Sequence, residues 1–466
     1  MRSGIHSTTF PQHQRPPRGR AEVTAAVGSG INLPGQLLMT PSRAVRLSTS
    51  RSECVALRAF YWGSWSLAPD VQREPPVKNF WPFSFYFWHF AGVAFIAPFL
   101  VLFYQSLGFG GAQIGLLTGL SPLLMLVCGP WWVGVADATH RHRQVLALTL
   151  LAAGLVELVF PFLRAFWPVL LANALFCLFY APVTSLADSA AMRLLAKSRQ
   201  MYGRLRLGGT LGFALAAPVA GLLVQSYGLR AAFWGCAGLF FLAVVTSQKF
   251  QSPAELVSAQ ASAQSQISVT EGGRALMANP RWLVFMVGTF AGGMALAATN
   301  NYLFPYLKGL GAVEGVMGFA LTLSIVFEVP LLFFGHHLLR WLDPNRLFLA
   351  ALAVTGGRML LLAAAGTVGQ VLLIQLLTGL TFPAMWLAGV ACADEDAPPG
   401  LSATSQGLFG AVYGIGSAAG GFLGGVLLSA VGAREMYLIL GTTVLALGVA
   451  VAVLHRRHYV LVQLGR

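Results

Sequence analysis

Five charged residues stand inside long apolar stretches of the chain, where charged side chains are rare. They are Glu157, Asp188, Arg206, Glu328 and Arg358. A charge within a membrane-spanning helix costs about 3 kcal/mol on insertion scales, so such residues usually face the interior of a helix bundle or a water-filled cavity. Two interpretations follow: salt bridges that hold helices in register, or a polar site near the bundle axis that binds a solute.

Uncharged polar side chains occur in the same surroundings. They are His89, Asn300, Asn301, Gln375 and Gln406. A hydrogen bond between neighbouring helices explains each of them as readily as contact with a ligand does. Asn300, Asn301 and Gln375 join the candidate solute-binding residues. The aromatic run FYFWHF in the first apolar stretch could stack on a ligand, although lipid-facing packing is its commoner use.

The composition explains why these residues stand out. Hydrophobic residues make up 56% of the 466 and charged residues only 10%. A soluble domain carries about 25% charged residues, so this chain belongs to the membrane class. The formal net charge of +14 does not indicate nucleic-acid binding. The basic residues cluster between apolar segments, where anionic lipid and the positive-inside rule account for them.

Apolar segments long enough to cross a bilayer, about 20 residues each, follow one another from Trp81 onward. The sequence predicts twelve spans, at 81–105, 112–136, 144–163, 167–190, 206–226, 231–248, 281–306, 313–338, 345–365, 368–391, 402–430 and 434–454. A Ser/Gln/Ala-rich linker, 249–280, separates spans 6 and 7. We therefore predict an all-α membrane protein with two six-helix halves, 79–248 and 281–455.

The chain before the first span and the loops between spans differ from the spans in charge, and the loops indicate how the protein is oriented in the membrane. Residues 1–78 are basic and lack a long apolar run, which predicts a disordered extension; a transit peptide and an over-extended start are the alternatives. The loops after spans 2, 4, 6 and 8, together with the tail 456–466, hold fifteen Lys and Arg, against four in the odd loops. This asymmetry predicts that both termini and the linker lie in the cytoplasm.

Some spans contain residues that soften a helix. Span 11 has eight glycines at steps of three and four residues, a face along which a neighbouring helix can slide. Pro182, Pro218, Pro330 and Pro383 should bend the spans that contain them.

Motifs for other functions are absent from the sequence. The five cysteines show no metal-ligand spacing, so we expect neither a metal site nor a cofactor. No GxxxxGK[ST] loop occurs, which leaves ion gradients as the expected source of energy. No acid is paired at short spacing with a Ser or His nucleophile, and the chain is therefore not expected to be an enzyme.

Several stretches resemble the major facilitator superfamily, in the branch of lactose permease, nucleoside symporters and the phenylpropionate permease. The stretch FSFYFWHFAGVAFIAPFLVLFYQSLGFGGAQIGLL is similar to that branch's first helix, and SQGLFGAVYGIGSAAGGFLGG to its helix 11. WWVGVADATHRHR resembles the signature between helices 2 and 3, with Asp137 and Arg141 in its acid and arginine positions. Val133 departs from it, since a glycine is expected there. The resemblance implies two halves that rock about a central site, with Asp137 and Arg141 as a cytoplasmic latch.

The most specific match is GRLRLGGTLGF at the start of span 5, which resembles the helix-5 entry of lactose permease. Eighteen residues before Arg206, Asp188 takes the place of that carrier's substrate-binding carboxylate. The resemblance therefore implies a ligand site formed by Asp188 and Arg206 across two helices. It implies a stacking role for Phe213, and it places Glu328 and Arg358 at the same site.

Span 10 departs from the lactose permease pattern. Thr378 and Thr381 stand where that carrier has a histidine and a glutamate that take part in proton coupling. If protons drive transport, Glu328, Asp188 or Glu157 must carry them.

Together these features predict a monomeric secondary transporter in a bilayer, expected in the bacterial inner membrane. We expect it to move a sugar, nucleoside or aromatic acid by proton symport and alternating access. Arg206 and Arg358 would bind carboxylate, hydroxyl or phosphate groups of the solute. The alternatives are a receptor of the same fold that binds without transport, and a lipid-handling protein.

Overall fold

Helices make up almost all of the chain that the computed structural model describes, which is residues 77–195, 202–249, 276–398 and 401–464. Twelve stretches within these ranges are long and apolar enough to cross a membrane, which confirms the predicted number. In chain order the helices are Val77–Ile96 with Leu100–Ser106 (span 1), Gly111–Thr139 (span 2), His142–Val159 (span 3), Phe166–Tyr180 with Val183–Leu195 (span 4), Tyr202–Tyr227 (span 5), Arg230–Ser247 (span 6), Pro280–Gly309 (span 7), Glu314–Trp341 (span 8), Pro344–Ala364 (span 9), Val368–Gln375 with Phe382–Glu395 (span 10), Ser402–Val431 (span 11) and Ala433–Leu464 (span 12).

Spans 1, 4 and 10 are interrupted near a proline, because proline removes a backbone donor and clashes with the preceding turn. The breaks in spans 4 and 10 adjoin Pro182 and Pro383, as predicted. In span 10 a 3-10 turn at Leu376–Leu380 precedes the break. Pro218 and Pro330 lie inside continuous helices instead.

One packing scheme occurs twice along the chain. Span 1 packs against spans 5 and 6, and span 3 against span 6; span 7 packs against spans 11 and 12, and span 9 against span 12. Each of these contacts in the first six spans thus has a counterpart six spans later. Such parallel repeats place a solute site between the halves, near the middle of the membrane. The predicted extension 1–78 and linker 249–280 lie almost wholly outside the described residues, and the domain boundaries stay predictions.

The two halves touch through glycine backbones where span 2 begins and span 11 ends. A Cβ added at Gly115 would lie 2.5 Å from the carbonyl oxygen of Phe422, and one added at Gly425 would lie 2.5 Å from the amide nitrogen of Gly115. Any side chain larger than that of glycine would push the two helices apart. We call this side of the bundle, where the odd loops lie, the sealed side.

Hydrogen bonds reinforce the sealed side. The Tyr302 hydroxyl on span 7 donates to the carbonyl oxygen of Gly421 at 2.5 Å, and the Thr118 hydroxyl on span 2 lies 3.0 Å from the Tyr302 hydroxyl. Spans 2, 7 and 11 are thereby joined. All of these groups are buried, so the bonds do not compete with water.

A second seam joins spans 5 and 8 on the same side. The backbone N–H of Gly315 donates to the Gln225 side chain at 3.2 Å, and the Thr322 hydroxyl donates to the carbonyl oxygen of Ala214 at 2.7 Å. The first half therefore contributes spans 2 and 5 to the seal, and the second half contributes spans 7, 8 and 11.

On the opposite side, the same face of span 11 carries glycines that border open space. Gly414 and Gly407 lie one and two heptads before Gly421, and hence on the face that touches span 2 on the sealed side. In the described part of the chain, a Cβ added at Gly407, Gly410 or Gly414 would meet no atom of another helix within 4 Å. We call this the open side; under the predicted orientation it faces the cytoplasm.

Replacing Gly425 by leucine should separate spans 2 and 11 on the sealed side, because overpacking a tight contact costs about 1–3 kcal/mol. The measurement is the distance between spin labels at the exposed positions 112 and 430, which should lengthen in Gly425→Leu. Gly414→Leu, on the same helix face but in open space, is the matched control and should leave the distance unchanged. Equal distances in the two variants would contradict the seam.

Candidate solute site

Spans 4 and 5 bring Asp188 and Arg206 into an ion pair. Nη1 of Arg206 donates to Oδ2 of Asp188 at 2.7 Å and to Oδ1 at 2.8 Å. The two side chains stay 40% (Arg206) and 30% (Asp188) exposed. Because exposed charges inside a membrane bundle require water rather than lipid, the pair marks a water-accessible surface. The structure therefore contains the cross-helix pair that the sequence predicts.

Two tyrosines form hydrogen bonds with the ion pair. The Tyr86 hydroxyl, on span 1, donates to Oδ1 of Asp188 at 2.6 Å, and the Tyr202 hydroxyl accepts from Nη1 of Arg206 at 3.1 Å. Sequence reasoning did not identify either one. Tyr202 precedes Arg206 by four residues, so it shares its helix face, which was an available signal. Tyr86 lay within the aromatic run of span 1, where nothing in the pattern distinguished it from its neighbours.

Aromatic rings flank the guanidinium. Its central carbon lies 5.7 Å from the ring centroid of Phe90 and 5.9 Å from that of Tyr86, within the range of cation–π attraction. Phe213, the expected stacking residue, is half-buried and makes no ring contact with another described residue. The aromatic surface at the pair thus comes from span 1.

A second polar cluster joins spans 8, 9 and 10. Arg358 is 3% exposed, and its Nη2 donates to Oε1 of Gln375 at 2.5 Å. Nε2 of Gln375 donates to the Ser324 hydroxyl at 3.0 Å, and the Thr378 hydroxyl donates to the same oxygen at 3.4 Å. Arg358 and Gln375 were predicted to be site residues, whereas Ser324 was not, because a lone serine in an apolar helix carries no signal.

Glu328 lies one helical turn after Ser324 and is half-buried. Arg358 acts on it electrostatically, yet no ion pair joins the two within the described part of the chain. Nε of Arg358 has no hydrogen-bond partner there either. The second half therefore holds a buried guanidinium that is not paired with a carboxylate.

The structure places Glu157 apart from both clusters. It is 2% exposed in span 3, and its Oε2 has no hydrogen-bond partner among the described residues. Its electrostatic neighbours are Tyr104, Cys177 and Cys236, from spans 1, 4 and 6. Glu157 is thus enclosed within one half.

Some of the uncharged candidate residues have hydrogen-bond partners among the described residues, and others have none. Asn300 is exposed and Asn301 half-buried in span 7, and neither makes a hydrogen bond to another described residue. His89 is fully buried, with Nε2 lying 3.3 Å from the Tyr180 hydroxyl of span 4. Gln406 donates to Ser402 on its own helix. Asn300 and Asn301 are therefore free to contact a solute.

At the open side, Asp137 and Arg141 form no ion pair with each other in the described structure. Oδ1 of Asp137 lies 2.7 Å from Nε2 of His142, and Nη2 of Arg193 lies 2.9 Å from the same nitrogen. This cluster joins spans 2, 3 and 4 of one half and does not bridge the halves.

An apolar groove of about 580 Å³ opens between spans 8 and 10. Pro330, Phe334, Trp341 and Leu380 are among the residues that line it, and none of its described lining residues is charged. Its lining suits an acyl chain rather than a polar solute.

Curated relatives share this architecture over most of its length. Residues 81–439 match the model of the MFS_1 like family. The chain is 25% identical over 362 residues to the uncharacterized transporter YwbF of Bacillus subtilis, which covers 77% of this chain and 88% of that protein. It is also 25% identical over 348 residues to the maltose permease of Geobacillus stearothermophilus, covering 74% and 86%.

Solved structures show the same fold. The nucleoside transporter NupG superposes with a TM-score of 0.72 at 17% identity, over 81% of this chain and 99% of that one. A bacterial homologue of the human lysosomal transporter Spinster, in an inward-facing and unoccupied conformation, gives 0.63 at 14% identity, over 82% and 96%. The predicted fold class is confirmed, and the relatives are transporters rather than enzymes. With the family model matching from span 1 into span 12, the chain belongs to the MFS_1 like family of the major facilitator superfamily of membrane transporters.

Proposed function

We propose that this transporter moves a small polar or anionic organic solute, of the sugar, nucleoside or aromatic acid class, by proton symport and alternating access. The observation that carries the proposal is the partly exposed Asp188–Arg206 pair in a bundle whose described helices meet at the sealed side and leave the glycines of span 11 uncovered at the open side. A maltose permease among the relatives and a nucleoside transporter among the similar structures support a polar solute.

The chemistry of the pair suits a hydroxylated solute. A solute hydroxyl can donate to Asp188 and accept from Arg206, replacing the Tyr202 hydroxyl. Phe90 and Tyr86 offer ring faces to the apolar side of a sugar or to a planar base or ring. Asn300 and Asn301, on the facing half, have free donors and acceptors for further hydroxyls. The site thus combines charge, ring surface and amides.

In the proposed transport cycle, the glycine-rich face of span 11 allows the two sides of the bundle to open in turn. Opening the sealed side breaks the contact between Gly115 and Gly425, while closing the open side brings Gly407 and Gly414 towards span 2. We place both termini and the open side in the cytoplasm, as the Lys and Arg distribution predicts. In a bacterial inner membrane the structure would then represent the inward-open state of a monomer.

Among the three acids proposed for proton coupling, Glu328 is the best placed. Asp188 accepts from Arg206 and Tyr86, so a change in its charge would break an ion pair. Glu157 is enclosed within one half. Glu328 is half-buried and has no ion pair in the described structure, so its charge can change without breaking one.

Uptake into proteoliposomes separates a transporter from a receptor of the same fold. The purified chain is first screened by thermal shift against sugars, nucleosides and aromatic acids. A stabilising compound should then accumulate when the vesicle interior is alkaline. Saturable binding with no uptake under any gradient would favour the receptor.

Arg206→Lys should reduce uptake of that compound by at least about tenfold, because one ammonium cannot reproduce the directed donors of a guanidinium. Arg204→Lys, two residues earlier on an exposed position, is the matched control and should retain uptake. Normal binding and transport by Arg206→Lys would exclude the proposed site.

Tyr86→Phe removes one donor from Asp188 and keeps the ring beside Arg206. We expect weaker binding, by about fivefold to tenfold, since a hydrogen bond to a charged group is lost. Tyr104→Phe, in the same span but away from the pair, controls for a general effect on folding. An unchanged dissociation constant in Tyr86→Phe would show that this tyrosine only fills space.

A further inference from the structure

The guanidinium of Arg358 is buried and only partly hydrogen-bonded within the described part of the chain. The side chain is almost fully buried, one nitrogen donates to Gln375, and Nε has no partner. No described carboxylate lies within ion-pair distance of it. Because a buried charge is tolerated only when it is paired and hydrogen-bonded, this position calls for a negative group.

A second donor without a partner lies on span 12. Tyr437 is fully buried, and its hydroxyl has no hydrogen-bond partner within the described residues. Tyr437 and Arg358 act on each other electrostatically. Spans 9 and 12 pack closely beside these two residues. A Cβ added at Gly441, one turn after Tyr437, would lie 3.0 Å from Cβ of Met359, the residue next to Arg358. Two unsatisfied buried donors thus lie in one region.

Glu328 is the acid that acts electrostatically on Arg358. It follows Ser324 by one turn, and Ser324 is linked through Gln375 to Arg358. Spans 5, 7 and 10, which pack on span 8, contribute no described charged group that acts on Glu328; span 9 contributes Arg358. An ionised Glu328 would therefore compensate Arg358, whereas a protonated one would leave it free.

We propose that Arg358 and Tyr437 bind one monovalent anionic group, either a carboxylate of the solute or a free halide, and that ionised Glu328 competes with it. This anion site rests on the proposed function. It lies in the second half of the bundle, because Asp188 already neutralises Arg206 in the first half. Where the group is the solute's own carboxylate, a proton on Glu328 accompanies each anion, and transport is electroneutral.

The test uses the purified full chain in detergent and a zwitterionic buffer, with the melting temperature as readout. The probes are sodium chloride and three matched pairs: benzoate with benzamide, 3-phenylpropionate with its amide, and glucuronate with methyl glucoside. A ligand that binds the folded state raises the melting temperature. Stabilisation by chloride identifies a free halide, and stabilisation by an acid but not its neutral partner identifies the solute carboxylate.

Tyr437→Phe distinguishes binding from a general salt effect. It should weaken the anion response by about tenfold in dissociation constant, because it removes one hydrogen bond to a charged group. It should not lower the melting temperature without anion, since its hydroxyl has no partner to lose. Tyr306→Phe is the matched control. Its hydroxyl donates to the carbonyl oxygens of Leu362 and Ala365, so it should lower stability and keep the anion response.

Glu328→Gln removes the competitor. In the wild-type chain the anion should bind more tightly as the pH is lowered across the range in which the chain stays folded, because protonated Glu328 leaves Arg358 free. In Glu328→Gln the binding should be tight and independent of pH over this range. A variant that binds the anion more weakly than the wild type overturns the competition.

Three results would overturn the anion site: no anion stabilises the wild type, Tyr437→Phe responds as the wild type does, or neutral partners act as well as the acids. A neutral solute that accumulates equally with wild type and Tyr437→Phe would refute the anion site and leave the proposed function standing. An intact anion response without uptake of any stabilising compound would refute the proposed function alone.

Discussion

A charged side chain inside a bilayer must be paired or must reach water, and the arrangement of this protein follows from that constraint. The Asp188–Arg206 pair is partly exposed, and exposed charges among apolar helices need water rather than lipid around them, so the bundle has to open on one side. A continuous path across the membrane would dissipate gradients, so the other side has to close. The sealed and open sides are therefore consequences of placing an ion pair among twelve apolar helices.

Closure depends on backbone contacts rather than on large side chains. Gly115 and Gly425 bring the main chains of spans 2 and 11 together, and the hydroxyls of Thr118 and Tyr302 satisfy buried polar groups there. Lipid supplies little hydrophobic drive for helix association, so close packing and hydrogen bonds are what remain. A seam of this kind is tight and yet can separate without exposing a large apolar surface.

The sequence predicts the spans well and the contacts between them less well. Span positions follow from hydropathy, which is a local property, and the pairing of Asp188 with Arg206 followed from a motif shared with known carriers. Tyr86 and Ser324 escaped prediction because their roles depend on which helix faces which, and no local pattern records that. The stacking of Phe213 on a ligand stays a prediction, and the rings beside the guanidinium belong to span 1.

The heptad spacing of Gly407, Gly414 and Gly421 has a mechanical consequence. One face of span 11 provides the contact with span 2 on the sealed side and the surface available for contact on the open side. Two stiff helices that meet at one end and diverge at the other cannot lie together along their whole length. If both helices move as rigid bodies, contact between them on one side forces them apart on the other side. The two sides therefore cannot be closed at the same time, and no separate signalling route between them is required.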